Sequence, residues 1–290
     1  MPDQHTPSAT PRVALIGFGE AASTFARAGG WEDAASAFDI DPARKAVMED
    51  CGVIAADLAE VLVGAQVVLS LVSADQAVPA AQACATHLRP GTLWCDMNSV
   101  APDTKCAAAR AIEAAGGRYV DVAVMAPVDP ARLNVPLLIA GPHAVAGMAA
   151  LNALGFAKVR VVSADVGQAS AIKLCRSIMV KGLEALTAEM VLAASKAGVL
   201  DEVLASLDAS EKTISWRERA DYNIDRMLLH GRRRAAEMAE AAEMLHDLGI
   251  PPLMTDNTVR RQQGFGELDI RPLPEGLEGK LAAIEERTKS

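Results

Sequence analysis

Aromatic residues are scarce in this chain of 290 residues: they make up 3% of it, although 51% of the chain is hydrophobic. Alanine, valine, leucine and methionine must therefore fill the core, which favours helices packed closely on a surface of small residues. With so few aromatic side chains, the chain lacks a stacking platform for nucleic acid. Basic residues are also fewer than acidic ones, 28 against 37, which gives a net charge of −9. An acidic protein repels phosphate backbones and anionic membrane surfaces, so we expect neither as a partner.

Cysteine provides no framework either. The five cysteines are scattered, odd in number and without a Cys-x-x-Cys pair, so the sequence predicts no disulfide framework and no metal site. Free thiols suit a reducing compartment. Long apolar runs are missing too, because none is long enough to cross a bilayer. Residues 1–12 are polar and lack the apolar core of a signal peptide. We therefore expect a cytoplasmic protein.

What the chain does have is an apolar run, residues 13–16, that leads directly into the pattern Gly-x-Gly-x-x-Ala. Gly17 permits a tight turn, Gly19 leaves room for a pyrophosphate beside the backbone, and Ala22 lets the following helix lie close on the strand. The start of that helix offers free amides to phosphate groups. The residues predicted to contact a dinucleotide here are Gly17, Phe18, Gly19, Glu20, Ala21 and Ala22.

A second strand pattern, residues 35–38, ends in Asp39, about 20 residues after Gly19. A carboxylate at this position accepts hydrogen bonds from the ribose hydroxyls of NAD and repels the extra phosphate of NADP. The sequence therefore predicts NAD as the cofactor and makes NADP the less favoured one, although Arg44 and Lys45 lie nearby. The alternative is that Asp39 or Asp41 merely caps the next helix.

Strands and helices alternate up to about residue 162, which is typical of βαβ units and a mostly parallel sheet. The strand-like runs are residues 13–16, 35–38, 67–71, 93–95, 119–122, 137–140 and 159–162. Helices are predicted between them, at residues 75–87 and 102–115 among others. Beyond residue 163 the pattern is helical, with long helices over 167–196 and 227–248 and an irregular tail over 265–279. We predict a dinucleotide-binding domain at residues 11–163 and an all-α domain at residues 164–290.

Polar side chains follow two of the predicted strands. Val72 and Ser73 come after one strand, and Asn98 and Ser99 come after the next. Ligands bind beyond the carboxyl ends of strands in open α/β sheets, so we expect Val72, Ser73 and Asn98 near the cofactor and Ser99 near a substrate. The alternative is that these residues cap the helices that follow them.

A stripe of polar side chains lies on the first long helix. Lys173, Ser177 and Lys181 are spaced by four residues and share one helix face, with Arg176 beside them. Such a stripe is often no more than a solvated surface. Here the flanking residues are apolar or small, which favours a partly desolvated lysine prepared for proton transfer.

These blocks, in this order, resemble the β-hydroxyacid dehydrogenase family, which includes 6-phosphogluconate and 3-hydroxyisobutyrate dehydrogenases. The resemblance runs from about Arg12 to about Leu253. It implies an N-terminal Rossmann domain, a long interdomain helix and an all-α C-terminal domain that dimerises. It also implies that Lys173 is the catalytic lysine, that Asn98 and Ser99 form the strand-end motif, and that residues 121–128 are the substrate-binding block.

The chain departs from the family at two of these blocks. Met125, Ala126 and Pro127 stand where the family has Ser-Gly-Gly, whose amides bind a substrate carboxylate. Proline has no N–H, so substrate binding must differ. Ser177 replaces the usual asparagine. The pattern Lys-x-x-Arg-Ser-x-x-x-Lys-Gly that contains it, together with residues 230–234, resembles a poorly characterised branch whose C-terminal domain is related to 6-phosphogluconate dehydrogenase. The cluster that starts at His230 is either a substrate or dimer site or a set of surface ion pairs.

The sequence thus predicts an NAD-dependent dehydrogenase that oxidises a hydroxyl carbon of a small anionic substrate, and that forms a homodimer. Lys173 exchanges the hydroxyl proton, and Ser99 and Ser177 bind substrate oxygens. The further residues predicted to contact the substrate are Met125, Ala126, Pro127, Arg176, Lys181 and His230. One alternative is an imine or aldehyde reductase; imine reductases have a similar shape but usually lack this lysine. The other is a dinucleotide-sensing protein without turnover.

Overall fold

This computed structural model describes residues 10–210 and 213–289, without the side chains of residues 181, 184, 185, 188, 236, 237, 240, 243 and 247. The chain divides into two units, of which the first ends at Ile178 and the second begins at Met179. The domain boundary that the sequence predicts, between residues 163 and 164, stays a prediction. No helix in the described residues combines the length and the apolar composition needed to cross a bilayer.

One sheet organises the first unit. Its strands are β1 (Val13–Ile16), β2 (Ala35–Phe38), β3 (Ile54–Ala55), β4 (Val67–Ser70), β5 (Leu93–Asp96), β6 (Arg118–Val124), β7 (Leu137–Ala140) and β8 (Val159–Ser163). They lie in the order β3-β2-β1-β4-β5-β6-β7-β8. Neighbouring strands are parallel except for β6 and β7, which are antiparallel. The predicted Rossmann fold with a mostly parallel sheet is confirmed, and β3 is a short edge strand that the sequence pattern did not reveal.

Helices cover both faces of this sheet, as its near-continuous apolar strands require. They are α1 (Glu20–Gly29), α2 (Arg44–Asp50), α3 (Leu58–Val61), α4 (Ala77–Ala85), α5 (Pro102–Ala114) and α6 (Ala144–Ala153). Several of the few aromatic side chains lie in the core of this unit. Phe25 and Phe156 meet edge to face with ring centroids 5.0 Å apart, while Trp94 and Tyr119 are fully buried in a second cluster.

The remaining elements are α7 (Gln168–Ala197), α8 (Leu200–Ser210), α9 (Trp216–Asp247), α10 (Leu253–Glu267) and α11 (Gly276–Lys289). The predicted long helix at 167–196 and the all-α character of the C-terminal part are confirmed. The predicted start of the next helix at residue 227 is wrong, because α9 begins at Trp216. Its start is fixed by a capping box, in which the Ser215 amide donates to Glu218 Oε2 (2.9 Å) and the Glu218 amide donates to Ser215 Oγ (3.2 Å).

The irregular tail predicted for residues 265–279 is confirmed over residues 268–275 and wrong at both ends. Helix α10 continues to Glu267 and α11 begins at Gly276. Gly266, one of the glycines in this segment, serves helix packing instead. A β-carbon built on Gly231 of α9 would lie 2.7 Å from the Gly266 amide nitrogen and 2.3 Å from the Gln262 carbonyl oxygen of α10. The two helices therefore meet backbone to backbone at these positions.

Candidate functional site

A cavity of about 490 Å³ opens beyond the carboxyl ends of β1, β2 and β4. In this sheet the strand order reverses direction between β1 and β4, and that switch point is where doubly wound α/β sheets bind ligands. Five residues that the sequence assigns to the cofactor line this cavity, namely Gly17, Gly19, Asp39, Val72 and Ser73. Folding thus brings together three separate segments of the chain.

Gly17 makes the turn after β1. Its φ is +87°, a left-handed conformation that residues with a side chain rarely adopt. A β-carbon there would also lie 2.6 Å from the carbonyl oxygen of Leu71. The Gly17 amide donates to the Phe38 carbonyl at 2.9 Å, which ties the turn to β2. This glycine is required by the fold itself.

Gly19 differs from Gly17, since the fold does not need a glycine at this position. Its φ is −82°, which any residue adopts, and it is the N-cap of α1. A β-carbon built on it would have no heavy atom of the described residues within 4 Å. The missing side chain leaves open space directly before the first amides of α1, where a phosphate group is favoured by those amides and by the helix dipole. The residues present here therefore fit the pyrophosphate of a dinucleotide.

The other fingerprint residues support this turn. The side chains of Phe18 and Ala22 are fully buried in the core beneath the turn, so they face away from the cavity. Ala21 is half-buried and the side chain of Glu20 is exposed. The Phe18 amide donates to Asp39 Oδ2 at 2.6 Å. Their contribution is to hold the turn and the strand-end carboxylate together.

Asp39 links the turns after β1 and β2. Oδ2 accepts from the Phe18 amide, and Oδ1 accepts from the Asp41 amide at 2.8 Å. Neither Asp39 nor Asp41 caps α2, whose N-cap is Ala43 and has no cap bond from a side chain of the described residues; Asp41 Oδ1 accepts from the Ala43 amide in the turn before the helix. Each Asp39 oxygen keeps a lone pair for a ligand hydroxyl. Arg44 also lines the cavity, and its Nε lies 3.7 Å from Asp41 Oδ2.

Asn98 fixes the loop after β4. Its Oδ1 accepts from the Val72 amide at 2.7 Å, and its Nδ2 donates to Ser70 Oγ at 3.0 Å. Asn98 is 4% exposed, so it does not line the cavity itself but holds the backbone of Val72, which does. The neighbouring Ser99 is exposed.

The alternative that side chains after β4 and β5 cap the following helices is wrong. Ala101 is the N-cap of α5, and within the described part of the chain no side chain caps that helix. Ser73 occupies the N-cap position of a short 3-10 turn, Ala74–Gln76, again with no cap bond from a side chain of the described residues. The Ser73 side chain is hydrogen-bonded to that of Asp75 instead, and the Ser99 hydroxyl is not used for capping.

The basic stripe lies in the first turns of α7. Lys173 and Ser177 are half-buried on the same face, while Arg176 is exposed. The side chain of Lys181 lies outside the described residues. All three described residues belong to the first unit, as does the cavity.

The segment after β6 offers few amides. The Met125 amide already donates to the Pro136 carbonyl at 2.9 Å, and Pro127 has no N–H. Ala126 and Pro127 are both exposed. Two of the three backbone positions therefore cannot donate to a substrate carboxylate. His230, in the second unit, is half-buried on α9 next to the glycine that contacts α10.

Sequence reasoning missed two features around this site. Pro79, Ala80 and Ala83 of α4 line the cavity; their spacing of three to four residues on the helix that follows β4 is the signal that points to them. The second missed feature is the pairing of Lys105 with the buried Asp96 and Asp121, because these three residues come from three different elements.

Two protein families match separate parts of the chain. Residues 12–154 match the family described as the NAD binding domain of 6-phosphogluconate dehydrogenase. Residues 194–265 match a family described as a domain of unknown function, DUF1932. The first match contains the whole cavity lining, and the second lies in the helical unit.

Solved structures match most of the chain. A conserved hypothetical protein from Sinorhizobium meliloti 1021 is 36% identical, and the match covers 98% of this chain and 99% of that one with a TM-score of 0.60. A conserved protein of unknown function, described as structurally similar to 3-hydroxyacid dehydrogenases, is 30% identical over 88% of this chain and 97% of its own, with a TM-score of 0.60.

An imine reductase from Myxococcus stipitatus, in complex with NADP+, is 18% identical over 88% of this chain and 95% of its own, with a TM-score of 0.70. A variant of that enzyme is in complex with NAD+. At this level of identity the likeness shows a shared fold alone.

Proposed function

This chain belongs to the 6-phosphogluconate dehydrogenase-like family of NAD(P)-dependent oxidoreductases, and we propose that it oxidises the hydroxyl carbon of a small β-hydroxyacid-like substrate with Lys173 as general acid and base. The observation that carries the proposal is the cavity in which Gly17, Gly19 and Asp39 meet at the switch point of the sheet. A half-buried lysine in the first turns of α7 supplies the proton-transfer group.

In this proposal the cofactor is NAD. Gly19 and the first amides of α1 hold the pyrophosphate, and the Asp39 carboxylate accepts from the ribose hydroxyls. A 2′-phosphate would face that carboxylate at close range and be repelled. Arg44 is the cation that could attract it, but its pairing with Asp41 offsets part of its charge. That exposed pair is weak, so Asp39 remains the main determinant.

The chemistry divides between the cofactor and the chain. The nicotinamide, when bound, accepts a hydride from the hydroxyl carbon. The neutral amine of Lys173 accepts the hydroxyl proton, and in the reverse direction the ammonium donates it to a carbonyl oxygen. The hydroxyl groups of Ser99 and Ser177 orient the substrate oxygen, and Arg176 attracts an anionic substrate. Oxidation should become faster as the pH rises and the lysine loses its proton.

Two further residues that the sequence assigns to the substrate, Lys181 and His230, belong to the second unit and stay predictions. The absence of amide donors at Met125 and Pro127 implies that the substrate anion is held by a cationic side chain, for which Arg176 is the candidate. The family instead binds a substrate carboxylate through the backbone amides of two glycines, which this chain lacks at these positions.

The same missing amides favour a second candidate, reduction of an imine or aldehyde, because such a substrate needs no carboxylate site. The two candidates separate in one experiment. We expect NAD+ reduction with a panel of 3-hydroxy acids, including 3-hydroxyisobutyrate, to exceed NADH oxidation with cyclic imines or aldehydes. Faster turnover of the imines would favour the second candidate. Binding of NADH with no turnover of any compound would favour a dinucleotide sensor.

The role of Lys173 is tested by Lys173→Met. We expect kcat to fall at least a hundredfold, since general acid–base catalysis contributes about 10²–10⁴-fold, while the Kd for NADH stays within twofold. Lys158→Met, at an exposed lysine of the first unit, is the matched control and should leave both constants unchanged. Equal losses of kcat and NADH affinity in Lys173→Met would mean that the lysine is structural.

We also propose a homodimer in a reducing cytoplasm. Helix α7 exposes several large apolar side chains, among them Ile178 at 75% and Leu192 at 56%. Exposed apolar patches of this kind mark interaction surfaces. All five cysteines are free, which suits a reducing compartment. Sedimentation at micromolar concentration should give a dimer, and Ile178→Lys should shift it towards the monomer; a wild-type monomer would refute this assembly.

A further inference from the structure

A set of ionisable side chains is completely buried in the first unit. Lys105 of α5, Asp96 of β5 and Asp121 of β6 are each 0% exposed. Lys105 Nζ lies 2.9 Å from Asp96 Oδ1 and 3.4 Å from Asp121 Oδ1. Tyr119 donates its hydroxyl to Asp96 Oδ2 at 2.6 Å, and burial raises the pKa of this phenol far above its usual value. Buried charges are costly unless they are paired, and here one lysine faces two carboxylates.

The task of Asp121 is visible in its second oxygen. Oδ2 accepts from the Gly167 amide at 3.0 Å and from the Ser170 amide at 3.2 Å. These amides belong to the start of α7, which leaves its first N–H groups without partners inside the helix. The carboxylate therefore caps α7 from the sheet, and its negative charge lies at the positive end of the helix dipole.

The same turn is held from a second side. Ser170 Oγ donates to the Val100 carbonyl, the residue that follows Ser99. A β-carbon on Gly167 would lie 2.9 Å from Pro102, so the start of α7 also lies close to the start of α5. The loop that carries Ser99 is in turn tied to the buried set, because Asp96 Oδ1 accepts from the Asn98 amide at 2.9 Å.

Lys173 comes one turn after Ser170, on the segment that these contacts fix. We propose that Asp121 is a positioning residue for Lys173, which it holds in place through the first turn of α7, and that Lys105 compensates the charge of Asp121 for this task. The proposal rests on the proposed function, in which Lys173 exchanges the proton. Proton transfer depends on hydrogen-bond reach, so a small displacement of α7 lowers turnover without affecting the nucleotide cavity.

Asp121→Asn is the first test variant, because asparagine keeps the shape and one acceptor oxygen but loses the charge. Glu189→Gln is a matched control: Glu189 is a buried carboxylate that accepts from the Met254 and Thr255 amides, both at 2.9 Å, at the start of α10. Both variants remove a capping charge, but only the first removes it from the turn that leads to Lys173. Ser170→Ala is the milder variant to use where Asp121→Asn does not fold.

Three measurements are made on each full-length variant: deuterium uptake by residues 167–174, the Kd for NADH, and kcat and KM for the 3-hydroxy acid of the panel that is oxidised fastest. We expect Asp121→Asn to speed up deuterium uptake in this segment at least tenfold and to lower kcat at least tenfold. KM and the Kd for NADH should change less than twofold. Glu189→Gln should change none of these values by more than twofold.

Unchanged deuterium uptake over 167–174 in Asp121→Asn would overturn the proposal. So would a loss of kcat no larger than that in Glu189→Gln, since both losses would then reflect general destabilisation. The proposed function fails by a different result, namely full turnover by Lys173→Met. In that case the exchange measurement alone decides whether Asp121 fixes this turn.

Discussion

Gly17 and Gly19 lie in the same turn after β1, so the effects of an alanine substitution can be compared at these two positions. Gly17→Ala places a β-carbon 2.6 Å from the Leu71 carbonyl oxygen, on a residue whose φ is +87°. A left-handed conformation costs an L-residue about 1–2 kcal/mol, and the close contact adds to that cost. For a domain of this size about 2 kcal/mol lowers the Tm by about 4–8 °C.

Gly19→Ala should leave thermal stability nearly unchanged but weaken NADH binding. Alanine is a poorer N-cap than glycine, by up to about 1 kcal/mol. It also restricts the unfolded chain, which stabilises the protein by about 0.4–1 kcal/mol. The two effects nearly cancel, so the Tm should stay within about 2 °C. The new methyl group, however, occupies the open space before the amides of α1, and we expect the Kd for NADH to rise at least tenfold, or about 1.4 kcal/mol.

The assay measures thermal unfolding without nucleotide and NADH binding by fluorescence for both variants. Wild-type affinity in Gly19→Ala would refute the idea that this glycine keeps a phosphate path open. A fall in Tm as large as that of Gly17→Ala would mean that the fold itself requires Gly19.

Two further predictions concern carboxylates. Asp39→Asn should shift the ratio of kcat/KM values for NADP+ and NAD+ at least tenfold towards NADP+, because the charge that repels the 2′-phosphate is gone; Asp33→Asn, outside this cavity, is the control, and an unchanged ratio would contradict the assignment. Burial raises the pKa of Glu189, but hydrogen bonds from Thr255 and Met254 outweigh it and leave this pKa below its usual value. The stabilisation is therefore present above about pH 4.5 and is lost as the pH falls through the lowered pKa of the folded state. Urea unfolding should show Glu189→Gln to be less stable than wild type by about 1–3 kcal/mol at pH 7 and by much less at pH 3; an equal difference at both pH values would contradict this origin.

Local signals predicted the elements that carry them. The apolar run before Gly17 and the Pro at the start of α5 gave β1 and α5 nearly to the residue. The start of α9 carries little apolar periodicity, so the hydrophobic pattern placed it at residue 227, although the box of Ser215 and Glu218 was readable. Gly266 suggested a loop because its packing partner, Gly231, is remote in sequence.

The candidate site divides in the same way. Gly17, Gly19 and Asp39 were predictable because a fixed spacing encodes their task. The part played by Asn98 was not, since it depends on a hydrogen bond to Val72 across two strands. Pairing of Lys105 with its aspartates is equally invisible to local patterns, because no spacing rule joins α5 to β5 and β6.

The contacts of Asp121 also limit where the chain can be cut. A fragment that stopped at residue 163 would remove both amides that donate to Oδ2 of this carboxylate, and would leave Lys105, 3.4 Å from Oδ1, as its charged partner. A buried acceptor oxygen that loses its donors costs about 1–3 kcal/mol, and more when it carries charge. The shortest self-sufficient nucleotide-binding piece of this protein therefore extends beyond its last strand and includes at least residue 170.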